Sequence, residues 1–316
     1  MKVWELGEFG LIELIAGIVG KATRRDLIIG IGDDTAAWSP DKSIQLGTTD
    51  ILIQGVHFSI DIATWRELGW KALAVNISDI AAMGGKPSFA MVSLGLPPET
   101  DVDNVIELYR GMKDISSKFN VDIVGGNVSK APVVIIDVSL IGNASDALLT
   151  RSAAVGGDQI AVTGYLGLSA AGLKLLKSSR KLDSKTTAFF REAHLRPRPR
   201  VNEGQVLVQH GVKAAIDNSD GLLSDLTHIC KASRVGAKVW IDKLPIHELL
   251  KEAFKKEARG LALSGGEDYE LLFTAKSKVI KKVQNVMSIP VTVIGEIVSN
   301  HPRQVTVVDE QGKIVK

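Results

Sequence analysis

One cysteine, Cys230, stands among 316 residues, so no disulfide can form within the chain, and a reducing cytoplasm suits it. No C-x-x-C and no H-E-x-x-H occurs, and the six histidines are scattered, which argues against a zinc centre. The familiar phosphate loops are missing as well. There is no G-x-x-x-x-G-K-[ST], and no G-x-G-x-x-G follows an apolar strand, so Walker and Rossmann nucleotide binding lose their main support. No apolar run is long enough to span a bilayer. The net charge of +2 leaves no surplus of basic residues to attract nucleic acid or an anionic membrane. The opening LGEFGLIELIAGIVG carries Glu8 and Glu13 inside its apolar pattern and reads as an amphipathic helix, not as a leader.

What remains is a globular composition, 45% hydrophobic and 23% charged, in a chain long enough for two domains. Strand-like runs cover 27–31, 44–49, 88–95, 121–124, 133–142 and 156–164. Helical patterns cover 64–84, with a polar NISD interruption, and then 101–119, 167–178 and 201–210. The run RPRPR (196–200) cannot lie mid-helix and reads as a loop. Cys230 falls among Leu222, Leu226 and Ile229 at helical spacing, the position of a packed thiol and not of a nucleophile. The alternation of strands and helices implies an α/β (α+β) protein, divided near residue 147 into domains 1–146 and 147–316. NISDIAAMGG and DNSDGLLSDL share a pattern, which hints at two related halves.

Acidic residues recur beside glycine, serine or threonine, mostly after apolar runs: IGDDTAA with Asp33 and Asp34, TTD with Thr48, Thr49 and Asp50, NISD with Asp79, DNSD with Asp217, Ser219 and Asp220, and SGGEDYE with Glu267 and Asp268. A single one reads as an Asx turn or a helix cap. Five together suit a different chemistry. Clustered carboxylates repel unless cations share the space, and hard oxygen donors suit Mg²⁺, which in turn binds phosphate. Gly125, Gly126 and Asn127 follow an apolar strand, where a tight turn or a close approach to a ligand explains the glycines equally well. Arg151 reads as a surface charge or a bidentate phosphate clamp, and His57 as a packing or substrate residue.

Together EFGLIELI, IGDDTAA, TTDILIQGVHF, GWKALAVNISDIAAMGGKP, IVGGNVSK, LTRSAAVGGD, HLRPRPR, IDNSDGLLSDL and LSGGEDYELLF resemble the thiamine-monophosphate kinase family, within the aminoimidazole ribonucleotide synthetase-like superfamily. The stretches run from residue 8 to 273. The reactive cysteine or selenocysteine of selenophosphate synthetase and the C-terminal cysteine of the hydrogenase maturation protein have no counterpart here. The resemblance implies two domains, each a mixed sheet packed with helices, and a homodimer formed through the N-terminal domains. It implies ATP and several Mg²⁺ ions in a cleft between sheet ends, and phosphorylation of thiamine monophosphate to thiamine diphosphate by direct in-line transfer of the γ-phosphoryl group. Carried over by motif, Asp33, Asp34, Thr48, Thr49, Asp50, Asp79, Asp217 and Asp220 look like the metal set. Gly125, Gly126, Asn127, Arg151 and Ser219 look like nucleotide contacts, and His57 and Glu267 like substrate contacts. Asp50, Asp79, Arg151 and Asp217 then carry the catalysis. Two departures stand out: Asn127 replaces an acid of some members, and the tail VTVVDEQGKIVK lacks the aromatic segment that touches substrate in many. The competing readings are another ATP-dependent synthetase of the superfamily and a non-catalytic nucleotide sensor.

Overall fold

A computed structural model describes residues 1–20, 24–29, 37–38, 43–145, 147–300 and 302–315. The chain forms two compact units, Met1–Ile80 with Lys86–Asp146, and Ala81–Gly85 with Ala147–Lys316.

The first unit contains α1 (Val3–Val19), the short pair β1 (Leu27–Ile29) and β2 (Ala37–Trp38), β3 (Ile44–Ile53), α2 (Trp65–Ala82), β4 (Lys86–Leu96), α3 (Val102–Phe119), β5 (Asp122–Lys130) and β6 (Ile135–Ala144). Its main sheet has the order β3-β6-β4-β5, antiparallel except for the β4–β5 pair. Two expectations from sequence need correction. NISD does not interrupt the helix at 64–84, because α2 runs unbroken through it. The Asn76 amide donates to Ala72 O at 3.0 Å, so the polar residue is accommodated within the helix, while Ile77 and Ile80 are buried beside it. Nor does the strand at 121–124 end before the glycines. β5 continues to Lys130, with a bulge where Ala90 and Met91 oppose Ile123 and Gly125. A Cβ on Gly126 would come 1.9 Å from Val92 O, so the close strand approach explains that glycine.

Helices α2 and α3 meet at a pair of glycines. A Cβ on Gly69 would lie 1.8 Å from Leu108 O, and one on Gly111 1.9 Å from Arg66 O. Neither neighbour is a side chain that can turn aside. Gly69→Ala is therefore expected to cost about 2–3 kcal/mol by forcing the helices apart, read as a lower thermal midpoint; an unchanged midpoint would contradict this crossing.

The second unit contains β7 (Gln159–Thr163), α4 (Leu168–Leu176), α5 (Ser184–Leu195), α6 (Val201–Gln209), β8 (Ala214–Asp217), α7 (Leu222–Ser233), β9 (Gly236–Trp240), α8 (Glu248–Phe254), α9 (Ala258–Ser264), β10 (Leu271–Ala275), α10 (Ser277–Val286), β11 (Val291–Val298) and β12 (Val305–Val308). The six strands lie in the order β12-β9-β11-β7-β10-β8. Strand alternation sorts the core onto two faces. Ile160, Val162, Ile216 and Leu272 pack with α4, α5, α7, α8 and α9, whereas Ala161, Ala215, Leu271 and Phe273 pack with α6 and α10. Helices on both faces explain why β7, β8 and β10 read as nearly continuous apolar runs. Cys230 belongs to the first face and is fully buried with Leu222, Leu226 and Ile229, as its spacing implies. Burial pushes its thiol up to about 11, which makes it inert as a nucleophile.

Candidate active site

In the first unit the acids converge where β3 faces α2. Thr48 and Asp50 occupy alternate positions of β3 and share its partly buried face. Asp79, on α2, accepts a hydrogen bond from Thr48 Oγ1 at 2.6 Å. Burial, followed by the charge of Asp79 and then that of Asp137, lifts the Asp50 carboxyl to about 6. Asp50 thus lies within a strand and Asp79 in the last turn of a helix, not at strand ends as their flanking residues suggest. Thr49 points to the other face of β3, where its hydroxyl donates to Asp137 at 3.0 Å. Asp33 and Asp34 lie outside the described residues. His57 follows β3 and is exposed, its Nδ1 accepting from Ile53 N at 3.1 Å. Gly125, Gly126 and Asn127 sit within β5.

In the second unit Asp217 closes β8 and is buried, Asn218 is fully buried, Ser219 is half-buried and Asp220 is exposed. The loop is tied to SGGEDYE: Glu267 N donates to Ser219 O at 2.7 Å, and Tyr269 N to Asn218 O at 2.9 Å. Glu267 and Tyr269 both have positive φ (65° and 52°), strained values for residues with side chains. Glu267 Oε2 lies 3.4 Å from His194 Nδ1. Asp268 receives Gly167 N at 2.6 Å and Ser169 N at 2.9 Å. Burial lifts its carboxyl to about 7, against the opposing pull of those N–H groups. Arg151 is exposed, its carbonyl accepting from Ser233 Oγ at 2.8 Å.

Sequence reading missed Asp225. It is 1% exposed, accepts Asn218 Nδ2 at 3.1 Å and Asp220 N at 3.3 Å, and is lifted to about 7 by burial and then by Asp217 and Asp220. Its first-turn position in α7 gave only an ordinary helix signal. Asp137 was also missed, along with the buried pair Glu270–Arg200.

Among the described residues, no group of three or more His, Cys, Asp or Glu side chains is arranged to hold a metal ion. The donor chemistry nevertheless fits a hard cation. The donors are carboxylates and hydroxyls, and burial, followed by neighbouring acids, raises the Asp50 and Asp225 carboxyls. Beside both acid groups, Asn76 Oδ1 and Asn218 Oδ1 are buried acceptors without a partner. No helix among the described residues is long and apolar enough to cross a membrane.

Both units match the AIR synthase related proteins: residues 32–144 match the family's N-terminal domain and residues 156–308 its C-terminal domain. Within that group the chain belongs to the thiamine-monophosphate kinase family. It is 39% identical over 277 residues to the thiamine-monophosphate kinase of Aquifex aeolicus (strain VF5), covering 87% of each chain. The crystal structure of thiamine-monophosphate kinase from Stenotrophomonas maltophilia K279a matches with a TM-score of 0.84 and 34% identity over 96% of each chain. The structure of AaThiL complexed with AMPPCP and TMP matches with a TM-score of 0.79 and 35% identity, covering 100% of this chain and 97% of that one.

Proposed function

We infer that this protein is a kinase that phosphorylates thiamine monophosphate to thiamine diphosphate at the expense of ATP. The observation that carries the reading is the 39% identity over 87% of the chain to a curated thiamine-monophosphate kinase. The fold match to a relative complexed with AMPPCP and TMP supports both substrates. The acceptor is a phosphate monoester whose second pKa is about 6, so it is largely ionised at neutral pH and needs no general base. The obstacle is repulsion between two anions. Mg²⁺, when bound, screens that repulsion and the charge of a loose transition state.

Asp50, Asp79, Asp217 and Asp220 are the proposed Mg²⁺ ligands, with Thr48 and Thr49 beside them; Asp33 and Asp34 complete the proposed set. The side chains set their own geometry. Thr48 fixes one oxygen of Asp79. Asp225, buried beneath the DNSD loop, fixes Asn218 and the Asp220 main chain. Gly125, Gly126, Asn127, Ser219 and Arg151 are assigned to the nucleotide, and His57 and Glu267 to the acceptor. A cytoplasmic homodimer completes the reading, supported by the half-exposed Ile44 and Ile51 on the edge strand β3.

The test is formation of ADP and thiamine diphosphate from ATP, Mg²⁺ and thiamine monophosphate. ATP turnover with no diphosphate product would refute the assignment. Arg151 gives a finer check. Its exposed guanidinium is partly screened, so Arg151→Ala is expected to lower kcat/KM for ATP roughly tenfold to a hundredfold, below the scale of a fully enclosed donor. Arg151→Lys should not restore the loss, because an ammonium lacks the planar fork. Wild-type efficiency in Arg151→Ala would make this residue a plain surface charge.

A further inference from the structure

The loop that carries Asp217 and Asp220 is held from two sides. On one side main chain meets main chain. Asn218 N donates to Glu270 O at 2.7 Å, Tyr269 N to Asn218 O at 2.9 Å, and Glu267 N to Ser219 O at 2.7 Å. A Cβ on Gly266 would lie 2.5 Å from Ser219 O, so the two backbones touch with no side chain between them. None of these three bonds reaches Asp220.

On the other side stands the buried Asp225. Its Oδ2 accepts both Asn218 Nδ2 at 3.1 Å and Asp220 N at 3.3 Å. One oxygen thus joins the side chain of the residue after Asp217 to the main chain of Asp220. Asn218 is fully buried too, and a hydrogen bond shielded from water holds its geometry. Helix α7 begins at Leu222, directly after the loop, and Asp225 N donates to Gly221 O at 3.0 Å within its first turn. A rigid element therefore carries the carboxylate. An acid in a first turn ordinarily serves its own helix. Both partners of Asp225 Oδ2 instead lie ahead of the helix, in the loop, and one of them is a side chain seven residues away.

We propose that Asp225 is a positioning residue, which presets the Asp217–Asp220 loop for Mg²⁺ through hydrogen bonds and does not touch the metal. The proposal rests on the assignment of Asp217 and Asp220 to Mg²⁺ made above. Two variants separate hydrogen bonding from charge. Asp225→Asn keeps an oxygen that can accept both bonds, whereas Asp225→Ala removes them. Mn²⁺ titrated into the substrate-free protein, followed by electron paramagnetic resonance, reads the site without turnover. Asp225→Ala is expected to raise Kd for one class of bound Mn²⁺ about tenfold to a hundredfold, the scale for removing a residue that orients metal ligands. The Mg²⁺ concentration that half-activates turnover should rise in step. Asp225→Asn should stay close to wild type in both measurements. Asn218→Ala removes one of the same bonds from the loop side, so its Kd for Mn²⁺ decides the matter where Asp225→Ala does not fold.

A Kd for Mn²⁺ raised as far in Asp225→Asn as in Asp225→Ala makes the charge itself the contribution and overturns the positioning role. Wild-type Mn²⁺ affinity in Asp225→Ala, with a lowered thermal midpoint, makes the residue a helix cap and also overturns it. So does a substrate-free wild-type protein that binds no Mn²⁺, because nothing is then preset, and so does failure of both Asp225→Ala and Asn218→Ala to fold. Mn²⁺ binding that depends on Asp225 in a protein that forms no thiamine diphosphate refutes the kinase reading and leaves the positioning role standing.

Discussion

Asp79→Asn is expected to reduce turnover on the order of 10²–10³-fold while leaving the fold intact, the scale for removing one preorganised electrostatic element from a developing charge. Asparagine keeps the volume of aspartate and an oxygen able to accept the Thr48 hydroxyl, which lies 2.6 Å away in the native protein. It removes only the charge. That charge raises the Asp50 carboxyl toward 6, second only to burial. An acid with a raised folded-state pKa binds its proton more tightly folded than unfolded. Such a group costs stability progressively as pH rises from about 4 to about 6, and the full cost persists above that range. Without metal at pH 7, Asp79→Asn should therefore unfold at or above the wild-type temperature, although it is nearly inactive. Metal-free thermal melts and steady-state ADP release test both halves. Near-native turnover at limiting Mg²⁺ would remove Asp79 from the machinery, and a large fall in metal-free stability would assign it to the fold.

The same pair of residues marks how far the sequence could be read. The acids were legible as a set because their spacing from glycine, serine and threonine repeated. Their positions were not, since polar residues after an apolar run usually signal a loop. Asp50 instead lies inside a ten-residue strand, on the face it shares with Thr48, and Asp79 inside an eighteen-residue helix that accommodates Asn76 and Ser78 fully buried. Tertiary packing overrode local punctuation there. For Asp217 the reading held, because β8 is only four residues long and its acid falls at the end. The strand at 156–164, which contains β7, and the burial of Cys230 were legible from the apolar pattern. Asp225 and Asp137 were not. Each is a single residue on its own element, and only the fold brings it beside other acids.

Glu270 shows the same limit in a residue that stability depends on, and replacing it should produce the largest loss of stability. Glu270 is 5% exposed. Its Oε2 accepts Thr163 Oγ1 at 2.6 Å and Arg200 Nε at 2.7 Å, and its Oε1 accepts Arg200 Nη2 at 2.5 Å. The carboxylate fills the space where a Cβ on Gly164 would stand, 2.1 Å from Oε1, so that turn depends on glycine because of this pair. Glu270→Ala leaves the Arg200 guanidinium largely buried without its counter-charge and removes the Thr163 acceptor. The expected cost is about 3–5 kcal/mol, the range for breaking one side of a buried pair. Most of that cost is an uncompensated charge, so it should be recoverable without restoring any attraction. Glu270→Leu combined with Arg200→Met replaces both ions by apolar groups of similar volume, and it should bring stability back to within about 1–2 kcal/mol of wild type. Denaturant titrations of the two single variants and the double variant close the cycle. Additive losses in the double variant would mean that Glu270 and Arg200 act on the fold independently, despite their two-bond contact.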